Sequence, residues 1–333
     1  MKVHEAFAFQ GKACASLGSP FMGRLMPLIG ERLSRGAVAD RVLGWEGDPS
    51  PYGDSVPLRL AGALHALKIE GLALGEVYPP VDVPNDALWS AVEAALVEHE
   101  ARVLHWLDSA PQTNEVRRSA VLIPALAMVA REFPGKPVEL LELGCSAGLN
   151  LRCDRFRLDL PGGGIGAEGS PVRLAPKWRG APIPGDLPDV VARRGIDLNP
   201  LDPVRDRVRL LAYLWPDQDD RIARTEAAIA VAREVPAGIE AGDAGVWAGR
   251  VLSEPAPDRV RVVYHTIAWQ YFPETTKARA LEAMKTTSSP IVRVAMEADG
   301  GDGARLSLTH YPTGEERELG RADFHGRWVD WQG

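Results

Sequence analysis

Glu142, Gly144, Cys145, Ser146 and Gly148 fall within the run VELLELGCSAGLN at 138–150, and their types and order suit a ligand cradle. Residues 138–143 are mostly apolar and lie between Pro137 and Gly144, the pattern of a buried parallel strand. Gly144, Cys145, Ser146, Ala147 and Gly148 follow, all of them small, so the backbone can turn tightly and approach a bound molecule. A helix starting near Gly148 and Leu149 would point its free N–H groups at that molecule, and Glu142 at the strand end would accept hydrogen bonds from it. Such chemistry suits a nucleotide-type ligand. An ordinary tight strand-to-helix turn is the plain alternative, and the G-x-G-x-x-G spacing of a dinucleotide fingerprint is absent.

Other chemically capable residues lie where later strands should end. The stretch 190–200 reads as a strand closing on Asp197, within GIDLNP. A carboxylate at the end of the second strand of a Rossmann-like sheet accepts ribose hydroxyls, ordinarily about 20 residues beyond the glycine loop. The interval here is far longer, and a hairpin inserted at about 155–180 accounts for the excess. Asp159 is the nearer rival but sits mid-strand. Residues 239–243 predict a third strand with Asp243 and Ala244 at its end, a surface loop being the alternative for Asp243. RVRVVYH at 259–265 is rich in β-branched residues and sets His265 at the end where open sheets place ligands. His265 could accept a proton from a substrate or merely fix the loop by a hydrogen bond. Trp269 and Tyr271 follow as pocket walls or as core. Asn114 and Arg118, in TNEVRR at 113–118, become substrate contacts if the helix they begin packs back along the sheet; a capping role for Thr113 or Asn114 is the alternative.

The elements that must hold these residues fall into two parts. Residues 1–133 carry mainly helical spacing, interrupted by the turn-rich GWEGDPSPYGDSVP at 44–57, and 86–108 is the clearest helix. His99 and His105 are badly spaced for shared ligation, and no metal site is expected. Residues 134–333 read as an α/β domain. In it, 155–160 is a strand, 161–166 a turn, 172–178 its hairpin return and APIPGDLP at 181–188 a connector. Helices are expected over 210–235 and 276–284, and a strand over 291–296. Alternating segments at 306–310, 317–321 and 327–331 predict a terminal antiparallel hairpin, with His310 and His325 at its turns in structural roles.

The chain has 333 residues, 38 basic and 45 acidic, for a net charge of -7. That balance leaves no bulk attraction for nucleic acid. Its three cysteines, Cys14, Cys145 and Cys153, suit reduced thiols. No signal peptide is read at the N-terminus, and the most apolar stretch, 120–130, is too short for a bilayer and contains Pro124. A soluble cytoplasmic protein with no membrane partner is the expectation.

ELGCSAG, GIDLNP, EAGDA, VVYHTIAWQYF and the closing hairpin resemble the class I S-adenosylmethionine (SAM) dependent methyltransferases from residue 138 onward, with Ser146 where many members carry a middle glycine. More specifically, GDPSPYGDSVPLRLAGALHALKIEG, TNEVRRSA and YLWPDQDDR resemble an uncharacterised bacterial domain-of-unknown-function family with this fold behind a helical N-terminal region. The resemblance implies a Rossmann-like methyltransferase sheet with SAM as cofactor. Residues 144–148 would then approach the methionine end, Asp197 the ribose, and Asp243 with Ala244 the adenine, while the helical region lids a small-molecule acceptor. His265 is the residue expected to take a proton where the acceptor must lose one. A non-catalytic SAM- or nucleotide-binding regulatory protein is the alternative, since no acceptor motif of the N-P-P-Y type is present. A nicotinamide oxidoreductase is disfavoured by the glycine spacing and the terminal hairpin.

Overall fold

Apolar residues at helical spacing build α1 (Val3–Ser16), α2 (Pro20–Arg32), α3 (Ala37–Leu43), α4 (Val56–Ile69), α5 (Asn85–Glu98), α6 (Glu100–Leu107), α7 (Ser119–Glu132), α8 (Arg207–Ala212), α9 (Asp219–Glu234), α10 (Ala244–Ser253) and α11 (Glu274–Thr286). The computed structural model describes residues 1–181, 183, 185–287 and 289–333. Within the connector expected at 181–188, Pro182 and Pro184 therefore lie outside the described residues.

The chain divides into two units, Met1–Thr113 with Asp206–Ala223, and Asn114–Arg205 with Arg224–Gly333. The first is helical. Its central element is α4, buried almost all round, including Arg59 and His65. The helix expected over 86–108 breaks at His99, whose φ of −112° and ψ of 28° separate α5 from α6. The division falls at 113/114 where the sequence suggests 133/134, because α7 packs against the sheet of the second unit.

The second unit is α/β. Its strands are β1 (Val138–Leu143), β2 (Arg157–Leu160), β3 (Gly163–Ile165), β4 (Arg173–Leu174), β5 (Lys177–Gly180), β6 (Val190–Asp197), β7 (Gly238–Ala241), β8 (Val260–Thr266), β9 (Ile291–Ala298), β10 (Ala304–Tyr311), β11 (Glu316–Ala322) and β12 (Trp328–Trp331). Nine of them form one sheet in the order β5-β12-β11-β10-β9-β8-β1-β6-β7. From β7 through β9 all pairings are parallel, and β1 lies between β6 and β8, so the direction of winding reverses at its edge. Ligands of open parallel sheets bind at such a switch point, beyond the carboxyl ends of the strands. β1 and β8 are buried at every position, as their predominantly apolar and β-branched residues require, and Glu139, Glu142, Arg261 and His265 are buried with them. Leu141, Leu143, Ile196 and Val263 pack with Trp247 and Val251 of α10 and Ala280 and Met284 of α11.

The antiparallel C-terminal strands are present, β9, β10, β11 and β12 pairing in succession. His310 belongs to β10 itself, while His325 lies in the turn after β11. The insertion differs from expectation. β2 turns back on β3 through Pro161 and Gly162, whereas β4 pairs with β2 in parallel and β5 leaves to join the main sheet beside β12. The glycine-rich composition of β3 disguises a strand as a turn. No helix among the described residues is long and apolar enough to cross a membrane.

Candidate functional site

β1 is followed by Gly144 at φ +75°, and the N–H groups of Gly144 and Cys145 both donate to the Ile196 carbonyl, at 2.9 and 3.1 Å. The glycines of the loop are needed for packing. A Cβ on Gly144 would lie 2.7 Å from Ala268 Cβ, and one on Gly148, at φ +63°, would lie 2.7 Å from Ile239 Cδ1. Cys145 is fully buried against Gly195.

Ser146 is the unusual member. Its φ of +53° is left-handed, a conformation that costs a residue with a Cβ roughly 1–2 kcal/mol. Its N–H donates to Asp197 Oδ2 at 2.8 Å, and its carbonyl accepts from Leu201 N–H at 3.2 Å. The side-chain Oγ is buried and has no hydrogen-bond partner. Asp197 Oδ1 accepts the Asn199 N–H at 2.9 Å, so each carboxylate oxygen has taken one donor and retains capacity for another. At the adjacent strand end, Ile267 is also left-handed, at φ +52°, which is rarer still for a β-branched residue. Backbone strain of this kind clusters at functional sites.

Glu142 lies beneath the loop. It is buried and its Oε2 accepts the Tyr264 hydroxyl at 3.2 Å. Burial pushes its carboxyl up to about 8, against the Tyr264 hydrogen bond and the Arg152 charge, so at neutral pH it is largely protonated. Arg152 itself donates to the Gly148 carbonyl at 2.6 Å and to the Val235 carbonyl at 2.9 Å.

The segment after Gly148 is a 3-10 turn, Leu149–Arg155, kinked at Arg152, in place of the expected helix. Its first N–H, from Leu149, donates to Asn114 Oδ1 at 2.8 Å. The donor that the sequence assigned to a ligand is thus taken by Asn114. Ser119 Oγ donates to Asn150 Oδ1 at 2.7 Å, and Asn150 Nδ2 donates to the Glu115 carbonyl, which fixes the turn from a second side. Arg118 donates from Nε to the Phe324 carbonyl at 3.0 Å and from Nη1 to the Thr266 carbonyl at 2.9 Å. It therefore ties the β11–β12 turn to the end of β8.

His265 points away from this corner. Tyr264 faces Glu142, and alternation along β8 puts its neighbour on the opposite face. The imidazole is fully buried: Nδ1 bonds Glu297 Oε1 at 2.7 Å and Nε2 accepts from Arg293 Nε at 3.0 Å. Burial holds its pKa below the ordinary histidine value, against the Glu297 hydrogen bond, so the ring is neutral with both nitrogens engaged. Nothing on it remains to take a proton from a substrate. Glu297 Oε1 also accepts the N–H groups of Ala268 and Trp269, while Trp269 stacks on His265 at 4.6 Å. Through Glu297, His265 is tied to the backbone of the loop after β8.

The chain matches along residues 4–331 the family model described as "Uncharacterized protein conserved in bacteria (DUF2332)". The chain belongs to this family. No curated protein and no solved structure matches it. In this family member Asp243 caps α10, its Oδ1 accepting the Val246 N–H at 2.9 Å and its Oδ2 the Thr276 hydroxyl. Ala244 is the first residue of α10 and is buried. Tyr271 is 76% exposed.

The corner at the ends of β1 and β6 thus gathers Glu142, Gly144, Cys145, Ser146, Gly148 and Asp197, with Asn114 bracing it. His265, fully buried, and Trp269, partly buried, form a separate group. Tyr264, Arg152 and Glu297 escape sequence reading of this family member. The alternation of β8 carries a signal for Tyr264, since a residue opposite His265 must face the Glu142 side. For Glu297 and Ile267 there is none.

Proposed function

We propose that the Ser146–Asp197 corner binds SAM and that the protein transfers its methyl group to a small-molecule acceptor. The observation that carries this reading is the Ser146 hydroxyl, buried without a partner on a left-handed residue. Leaving such a group unsatisfied costs about 1–3 kcal/mol, and a ligand that bonds it recovers that cost. Bound SAM supplies a methyl group on a positively charged sulfur. The parallel run from β7 to β9 and the antiparallel return after it support a methyltransferase-like sheet.

Asp197 keeps one accepting position on each oxygen for a ribose hydroxyl. Glu142 gains a reason to ionise when a positive charge settles over the loop. Methyl transfer needs in-line alignment and exclusion of water more than proton transfer, and a rigid braced loop provides the first. With His265 committed to Glu297 and Arg293, the acceptor is one that attacks without a histidine base.

That same commitment of His265 favours a second reading, a binding or regulatory protein that holds SAM without turnover. Thermal shift and calorimetry with SAM, S-adenosylhomocysteine and NAD test the shared part of both: stabilisation by the first two alone supports it, and NAD alone overturns it. Release of S-adenosylhomocysteine over a panel of small-molecule acceptors separates enzyme from binder.

A further inference from the structure

The first unit holds a cationic cluster that the corner at β1 does not use. Tyr213 follows α8, and its ring lies against α4 so closely that a Cβ on Gly62 would stand 2.5 Å from Tyr213 Cε1. Trp106 contacts the other side, with ring centroids 5.9 Å apart. The ring is therefore fixed, and the residue is only 7% exposed, yet its hydroxyl has no hydrogen-bond partner. Arg209 sits one turn earlier on α8, partly exposed, with its Nε also buried and without a partner.

Arg59 sits one turn before Gly62 on α4 and is 8% exposed. Its guanidinium donates only to main-chain oxygens, those of Asp54 at 2.7 Å and Leu107 at 2.9 Å, and lies over the Trp45 ring at 5.2 Å. The Asp54 carboxylate is turned away, accepting the Trp45 indole N–H at 2.9 Å. Among the described residues, neither Arg59 nor Arg209 forms an ion pair with a carboxylate. Burial pushes the Tyr213 phenol up, and the charges acting against it are those of Arg209 and Arg59. His65 adds none, since burial lowers its pKa to about 4. The unsatisfied Tyr213 hydroxyl and the Arg209 guanidinium are donors suited to an oxyanion, and Arg59 adds a positive charge beside them.

We propose that Tyr213, Arg209 and Arg59 bind the carboxylate or phosphate group of a small molecule. Tyr213 donates its hydroxyl, Arg209 reaches the group from the partly exposed side, and Arg59 supplies buried positive charge while its own donors stay on the main chain.

The test is calorimetric titration of the full chain with inorganic phosphate and with malonate, at ionic strength held constant with sodium chloride. Wild type binds at least one of the two. Tyr213→Phe keeps the ring packed on Gly62 and Trp106 and weakens binding about tenfold, as does Arg209→Gln. Phosphate alone binding assigns a phosphate group, malonate alone a carboxylate, and both a general oxyanion site. Absence of binding by either probe overturns the proposal, as does equal affinity in wild type and both variants, which marks adventitious association. Circular dichroism of Tyr213→Phe establishes that loss of binding is not loss of fold; if that variant is unfolded, Arg209→Gln carries the test alone.

Discussion

The Asp197 carboxylate accepts the Ser146 N–H at 2.8 Å, and this bond ties the loop after β1 to the end of β6, on the side of β1 opposite the β8 edge where the winding of the sheet reverses. It also holds Ser146 in a left-handed conformation with its hydroxyl unsatisfied. A stable fold alone does not require that cost, which is why the corner is the candidate site.

Ser146→Ala removes the unsatisfied hydroxyl and keeps the backbone conformation. The ligand-free protein should gain about 1 kcal/mol in urea denaturation, while its affinity for SAM falls. A loss of stability with unchanged affinity would show that the hydroxyl serves the fold.

Glu142 makes stability depend on pH in a direction fixed by its shift. Its folded pKa of about 8 exceeds the ordinary 4.5, so between those values the folded state holds a proton that the unfolded state has released. Stability is therefore greatest below pH 4.5 as far as this group is concerned, and falls by up to about 1.4 kcal/mol per pH unit until pH 8. Glu142→Gln should flatten that slope. Denaturation midpoints of both proteins from pH 5 to 8 give the comparison, and parallel curves would refute the assignment.

His265→Ala should lower stability by about 1–3 kcal/mol, because it leaves the half-buried Glu297 and Arg293 without their shared partner. Any methyl transfer measured in wild type should show no histidine-type inflection between pH 5 and 7. An inflection lost in this variant would restore His265 to a chemical role.

The strands of this chain were readable because their composition answers to burial. The mostly apolar run of β1 and the valine-rich run of β8 need cover on both faces, and both have it. Asp197 was legible as a strand end because Asn199 and Pro200 follow it. What local pattern could not carry was the destination of side chains. His265 lies at the expected strand end but turns to the face opposite Glu142, where its partner is Glu297, a residue 32 positions away. Asn114 lies beside the expected loop but spends its carbonyl on the Leu149 N–H. The helix foreseen after Gly148 failed for a related reason, since Asn114, Glu115 and Ser119 hold the segment from outside and Arg152 leaves helical geometry to reach the Gly148 and Val235 carbonyls.

Calorimetric titration of SAM into wild type and Asp197→Ala tests SAM binding over the Ser146–Asp197 corner most directly. Wild type should bind with a single site, and the variant should bind at least tenfold more weakly while remaining folded by circular dichroism. No heat of binding in the wild type, or equal affinity in the two proteins, would contradict it.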